Sequence, residues 1–180
     1  MQKLLILALA FVLGLSFASP LAADKGTSKE LPFYGSFSGE LSLDTDPDAI
    51  AERCQNTPQD KVAWAVASFW GDGIATHMGK TYAEANHCSY ATAAGPDGTY
   101  GEGELTFFAA NGDMLSATYA NGVSLSPPPV VEFMDEISFT DGGTGRFSFA
   151  SGGGVEMGSA NLLDETFTLQ ISGVISYKRR

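Results

Sequence analysis

The sequence predicts an all-β fold, a single antiparallel β-barrel of about eight strands. Short segments with alternating apolar and polar residues follow one another along the chain, and turns rich in glycine or proline separate them. The chain contains 21 glycines and 8 prolines in 180 residues, and no long segment shows the periodicity of an amphipathic helix. Sequential hairpins of this kind favour a meander, and a meander of eight strands closes most readily into a barrel.

The alternation sets the bounds of each predicted strand. The first strand places Phe33, Phe37 and Leu41 on one face and mainly serines on the other. Asn111-Gly112 is a strong hairpin signal and joins two of the strands. In chain order the eight or nine predicted strands are Phe33–Leu43, Val62–Phe69, Lys80–Tyr90, Thr99–Ala109, Asp113–Asn121, Val130–Thr140, Arg146–Ser151, Val155–Ala160 and Thr166–Tyr177.

Three segments between the strands are predicted to be turns or irregular structure. The longest is a polar loop insertion at about 44–60, in which Asp48–Arg53 favours a helical turn behind a proline. This insertion is a candidate cap for one end of the barrel. Gly71-Asp-Gly73 and Gly95-Pro-Asp-Gly98 both have the composition of turns.

Residues 1–23 have the pattern of a secretory signal peptide. Lys3 provides the positive charge, Leu4–Phe17 is almost wholly apolar, and small residues follow. The apolar run is shorter than the roughly 20 residues that a membrane-spanning helix requires, so we expect no membrane insertion. Residues 24–32 are predicted to be a flexible N-terminal segment and 33–180 the barrel domain. The protein is therefore expected to be exported, to the periplasm or the medium.

Export determines how the two cysteines are interpreted. Cys54 and Cys88 are the only two in the chain, and in an oxidising compartment such a pair most simply forms a disulfide. Buried free thiols and a catalytic thiol remain alternatives.

The acidic composition excludes several kinds of partner. The formal net charge is −11, which repels phosphate groups, so we expect no nucleic-acid partner and no docking on anionic lipid. No cofactor is expected, because the sequence lacks a glycine-rich nucleotide-binding motif. No metal is expected either: His77 and His87 lack a third ligand, and Asp44-Thr-Asp-Pro-Asp48 lacks the glycine and glutamate of a calcium loop. The sequence leaves the oligomeric state open.

One segment carries a resemblance to a known family. Residues 141–154, DGGTGRFSFASGGG, resemble a hairpin of the allene-oxide-cyclase-like and dirigent-like calycin barrels, in particular small exported bacterial proteins with that barrel. Segments 33–39, 73–80, 108–115 and 171–177 fit the same pattern. The resemblance implies an eight-stranded antiparallel barrel with a cavity, which in the plant relatives shelters a reactive lipid or phenolic intermediate. It implies no catalytic residue, because those of the plant enzymes do not match this sequence position by position.

Asp135 and His77 are the candidate catalytic residues. Alternation places Asp135 on the apolar face with Phe133 and Ile137, where burial would raise the pKa of its carboxyl group. The alternative is a bulge at this point that turns Asp135 outward. His77 is a candidate general base, because an imidazole titrates near neutral pH. Its alternative is a structural role, with the ring bonded to the backbone of the adjacent turn.

Aromatic residues on the strand faces are candidate ligand contacts, although such residues also form ordinary hydrophobic core. The candidates are Trp64, Phe107, Tyr119 and Phe133.

Two further residues are interpreted from their positions on the strands. Alternation places Tyr100 on the polar face of its strand, with Glu102 and Glu104. His87 is adjacent to Cys88, so the two side chains point to opposite faces, and we expect a structural or solvent-exposed histidine.

Three functions are compatible with these patterns. The first is an exported barrel that binds a small apolar molecule. The second is a cyclase or isomerase that acts on a lipophilic substrate, with Asp135 directing protons. The third is a surface or interaction protein whose barrel is filled by its own side chains. The sequence does not decide whether the protein is an enzyme.

Overall fold

The computed structural model describes residues 29–177 and confirms the predicted fold class. Eight antiparallel strands form a closed barrel in which each strand pairs with its neighbours in sequence and β8 pairs with β1. The strands are β1 Leu31–Asp44, β2 Val62–Ala75, β3 Gly79–Thr92, β4 Gly95–Ala109, β5 Met114–Ser124, β6 Val130–Thr140, β7 Ser151–Asn161 and β8 Thr166–Ser176. The predicted signal peptide lies outside the described residues. Within 29–177, no helix is both long and apolar enough to cross a bilayer.

The insertion between β1 and β2 contains one short helix, α1, at Pro47–Arg53. Its first turn is capped by the carboxylate of Asp46, which accepts hydrogen bonds from two backbone N–H groups. Asp44 in turn accepts from the backbone N–H of Asp46. Two carboxylates of the calcium-like segment therefore order the start of α1.

The insertion is held against the outer wall of the barrel. Cys54 and Cys88 form a disulfide that closes a loop of 34 residues, as predicted, and it stabilises the fold by about 3–4 kcal/mol in the chain-entropy model. Arg53 donates to the side chain of Asn86 on β3 and to the backbone carbonyl of Glu102 on β4. The insertion thus covers the side of the barrel, and none of its α1 residues lines the cavity described below.

Two segments predicted to be turns are parts of strands. Gly71-Asp-Gly73 continues β2, because β1 and β2 approach closely here: a Cβ atom on Gly71 would lie 2.2 Å from the carbonyl oxygen of Ser38. Gly95-Pro-Asp-Gly98 begins β4, and the preceding turn is formed by the two alanines before it.

The predicted strand at Arg146–Ser151 is also corrected. Gly145–Phe147 forms a 3-10 helix, and β7 begins only at Ser151. The helix directs the ring of Phe147 into the core, where it is fully buried. The chain therefore has eight barrel strands within the described residues, the lower of the two predicted numbers.

One half of the barrel interior is filled by aromatic and aliphatic side chains, and we call it the filled end. It surrounds the start of β1 and the end of β8. Phe33 is fully buried there, with its ring centroid 4.8 Å from that of Phe139 and 6.1 Å from that of Phe107. We call the other half, where β1 ends and β2 begins, the open end.

Candidate functional site

The open end contains a cavity of about 600 Å³. Alanines of β2 and β3 (Ala67, Ala83 and Ala85) form part of its wall and project little volume into it. The cavity reaches the surface beside Leu125 and Pro127, both exposed in the connection between β5 and β6. The larger apolar residues of the wall are Leu41, Phe69, Leu105, Phe133, Phe167 and Leu169.

Six ionisable side chains line this mostly apolar cavity. Tyr90 on β3 donates its hydroxyl hydrogen to Glu102, and the other five come one from each of the consecutive strands β3 to β7. We call these five the polar cluster, and all five are buried. They are His87, Tyr100, Tyr119, Asp135 and Glu156. Buried polar groups require hydrogen-bond partners, so their contacts decide what this wall can bind.

Tyr100 and His87 form the first part of the polar cluster. The hydroxyl of Tyr100 donates to Oδ2 of Asp135 at 2.8 Å. The imidazole ring of His87 stacks on the ring of Tyr100, with 4.2 Å between centroids. The hydroxyl of Tyr119 lies 3.0 Å from Nδ1 of His87. These contacts fix the orientations of both tyrosine rings and the imidazole.

His87 is neutral over the range in which most proteins function. Burial, and after it the positive charge of Arg53, lowers the pKa of His87 to about 3. Arg53 itself lies on the outer side of the wall, where it also approaches Glu104 at 3.9 Å. His87 therefore adds no positive charge to the cavity.

The two acids of the polar cluster face each other across the β6–β7 pair, because Asp135 and Glu156 are register partners. Burial raises the pKa of Asp135 to about 7, although the hydrogen bond from Tyr100 favours its ionised form. Burial, and then the negative charge of Asp135, raises the pKa of Glu156 well above its usual value. At neutral pH the pair thus holds at least one proton.

One oxygen of each acid has no protein partner. Within residues 29–177, neither Oδ1 of Asp135 nor Oε2 of Glu156 accepts a hydrogen bond. Asp135 is 2% exposed and Glu156 is 4% exposed. Both residues line the cavity, so its wall contains two buried carboxyl oxygens that have no protein partner.

The structure brings four of the six residues proposed for catalysis or ligand contact to this cavity. Asp135 points inward and is buried. The β5–β6 register does shift opposite Met134–Glu136, but the extra residue lies on β5 between Ala120 and Val123, so Asp135 is not turned outward as the bulge alternative requires. The other three cavity residues are Trp64, Tyr119 and Phe133. A register shift between Ala63 and Ala65 contributes to the placement of Trp64.

The other two residues lie at the filled end. Phe107 is fully buried against Phe33 and Phe37 and does not line the cavity, so it is core. His77 lies in the turn between β2 and β3, where its Nε2 is 2.9 Å from the carbonyl oxygen of Pro32. The two candidate catalytic residues therefore do not share one site, because Asp135 lines the cavity and His77 does not.

Sequence reasoning missed His87, Tyr100 and Glu156. Tyr100 points inward because β4 changes phase at Glu102, which has φ +53°. β5 has a matching left-handed residue at Asn121, with φ +57°. With this change of phase, the tyrosine ring occupies the space above its register partner, Gly122. That partner must be a glycine, since a Cβ atom on Gly122 would lie 2.1 Å from the ring of Tyr100.

No signal for Glu156 was present in the sequence, because its alternation with the apolar Val155 and Met157 predicts an outward carboxylate. In the structure Val155 and Met157 are exposed, and Glu156 faces inward as the register partner of Asp135. For His87 the alternation correctly predicted that its side chain points away from that of Cys88. However, both faces of β3 are covered at these two residues. Cys88 lies beneath the insertion and His87 faces the cavity, so exposure was the wrong expectation.

Within the described part of the chain, no three His, Cys, Asp or Glu residues are grouped so as to hold a metal ion. Comparison with protein-family models, with curated proteins and with solved structures finds no match in any of the three.

Proposed function

We propose that this protein binds a small, mainly apolar molecule inside the barrel. The observation that carries the proposal is the cavity of about 600 Å³, since ligand sites are typically concave, roughly 300–1,000 Å³ in volume and mostly apolar with a few placed polar groups. The aromatic side chains of Trp64, Phe69 and Phe133 supply apolar area. The polar cluster supplies groups that orient a ligand.

The cavity also argues against the filled-barrel interpretation. That interpretation requires side chains to occupy the whole interior, as they do at the filled end. At the open end small side chains stand in the wall, and the connection between β5 and β6 borders an opening.

We further propose that the protein is exported and related to the allene-oxide-cyclase-like and dirigent-like barrels. The Cys54–Cys88 disulfide supports export, because disulfides persist in oxidising compartments. The closed eight-stranded antiparallel barrel supports the relationship.

Titration with the neutral fluorescent dye Nile red tests the binding proposal. Wild-type protein should bind the dye saturably, with an increase in fluorescence. Ala85→Phe places a ring inside the cavity and should weaken binding by about tenfold or more. Ala120→Phe adds the same ring to an exposed residue of β5 and serves as the control. Equal affinities for the two variants, or no saturable binding by the wild type, would refute the proposal.

A second candidate function is isomerisation of a lipophilic substrate by proton transfer. The buried carboxyl group of Asp135, whose pKa burial raises to about 7, has the proton affinity of a general acid–base at neutral pH. In this reaction the carboxylate takes a proton from the carbon beside a carbonyl group, forming the enolate and the carboxylic acid. Where the substrate has a carbon–carbon double bond next to that carbon, the acid returns the proton to the far end of the conjugated enolate, and the double bond moves.

Hydrogen exchange tests this second function. Decanone in deuterated water should exchange the hydrogens beside its carbonyl group faster with wild-type protein than with Asp135→Asn. Both proteins should bind Nile red equally. Exchange at the same rate with the two proteins would exclude Asp135 as the base.

A further inference from the structure

The formal charges that line the cavity have one sign. Among the cavity-lining residues of the described chain, Asp135 and Glu156 are acidic and none is Lys or Arg. His87 is uncharged near neutral pH, as shown above, and Arg53 lies outside the wall with its donors directed to Asn86 and Glu102. The cavity therefore presents a negative or neutral surface to a ligand and never a positive one at neutral pH.

The polar cluster contains hydrogen-bond acceptors without a partner, and most of its hydrogen-bond donors are already engaged. Tyr100 donates its hydroxyl hydrogen to Asp135, and the Tyr119 hydroxyl is engaged with His87. Oδ1 of Asp135 and Oε2 of Glu156 have no partner in residues 29–177. A group that brings several N–H donors and a positive charge complements this arrangement, and an ammonium group has three such donors.

Aromatic rings line the same cavity. The centroid of Tyr100 lies 6.4 Å from that of Tyr119 and 6.5 Å from that of Phe133, with both pairs close to perpendicular. Ring faces attract cations, the more so where water is excluded. Walls of this kind stabilise a buried ammonium group, whereas they give no help to a carboxylate.

We propose that the cavity is selective for apolar amines, bound as ammonium ions by the Asp135–Glu156 pair, over apolar acids of the same length. This inference rests on the proposed binding function and names its ligand class. The amine nitrogen lies beside the Asp135–Glu156 pair in the cavity wall, and its hydrocarbon chain extends along the apolar wall towards the opening. An acid placed in the same way would bring a third carboxyl group to two that already share a proton.

The charges predict how affinity changes with pH. Six ionisable side chains line the cavity, those of the polar cluster and Tyr90, with Arg53 behind the wall. Of these, Asp135 changes charge near neutral pH, while burial and the charge of Asp135 raise the pKa of Glu156 well above its usual value. An ammonium ion favours their ionised forms, so amine binding releases a proton from the pair. Affinity for the amine should rise as pH increases through about 7, and affinity for the acid should fall.

Displacement of Nile red by dodecylamine, dodecanol and dodecanoic acid tests the inference. At about pH 8 the amine should displace the dye at a concentration about tenfold or more below that of the alcohol, and the acid should be the weakest. Glu156→Gln should reduce the preference of amine over alcohol. Glu132→Gln removes an exposed acid from β6 and should leave it unchanged, which controls for attraction to the acidic surface.

The outcomes separate this inference from the binding function. If the dye binds and the three ligands displace it equally, or the acid does so best, the inference fails and the binding function stands. If neither dye nor ligands bind, the binding function fails. The pH dependence of the wild type decides the matter even where a variant does not fold: an amine affinity that is constant from about pH 5 to pH 8 overturns the inference.

Discussion

The two ends of the barrel are built by the same strands, yet they differ in what they enclose. At the filled end four phenylalanines, Phe33, Phe107, Phe139 and Phe147, are buried and pack against neighbouring aromatic rings. At the open end the inward positions of β2 and β3 include small alanines, and β6 and β7 carry acids. Alternation of polarity thus determines that a barrel forms, whereas the size and charge of the inward residues determine where it is hollow.

This difference implies that the two ends contribute unequally to stability and binding. A filled core loses stability when a ring is removed, because the deleted contacts leave a void. A wall residue of an existing cavity loses fewer contacts when it is shortened. The filled end should therefore act mainly as the stable base, and the open end as the binding region.

Truncating one phenylalanine at each end should separate these roles. Phe33→Ala should lower the free energy of unfolding by about 3–5 kcal/mol, while its effect on Nile red affinity should be small. Phe133, half-buried in the cavity wall, should give the opposite result: Phe133→Ala should cost about 1 kcal/mol of stability and weaken dye binding severalfold. Urea unfolding and dye titration measure the two effects.

Equal losses of stability would show that the cavity collapses in solution and that the two ends are packed alike. Loss of dye binding in Phe33→Ala under conditions where that variant is folded would show that the dye binds at the filled end. Phe33→Leu provides a milder change if Phe33→Ala does not fold.

The same contrast explains how far the sequence could be interpreted. Alternation identified most strands and placed Asp135 on the inward face, because a half-buried strand imposes a period of two on its residues. It failed at Tyr100, because the phase reversal depends on left-handed backbone at Glu102 and Asn121. Neither residue is a glycine, so composition gave no sign of the reversal.

Glycine was misinterpreted for a related reason. In Gly71-Asp-Gly73 the missing side chains allow two strands to approach closely, and the strand continues. Such a contact involves residues distant in sequence, which local composition cannot reveal. The polar cluster was likewise only partly predictable, because it is assembled from single residues on five strands, and the cavity volume depends on all of them together.

A smaller effect, on the pH dependence of stability, is expected from Asp135 at the open end. The pKa of Asp135 is about 7 in the folded protein, raised by burial, and about 4 in the unfolded chain. Between these values the folded state binds more protons than the unfolded state, so stability falls as pH rises from about 4 to about 7 and then levels off. Asp135→Asn removes this contribution and should raise the stability at about pH 8 by roughly 2 kcal/mol, with little gain at about pH 4.

Thermal unfolding of the wild type and Asp135→Asn across this pH range measures the effect. Asp72→Asn is the matched control, because Asp72 is exposed on β2 and its carboxylate is solvated. Glu156 remains in the Asp135→Asn variant and preserves part of the pH dependence, so the slope should decrease rather than vanish. A variant that is less stable than the wild type at about pH 8 would mean that the ionised Asp135 is stabilised by its surroundings. In that case the buried acids of the open end would not destabilise the folded protein. The open end and the filled end would then differ only in the volume that they enclose.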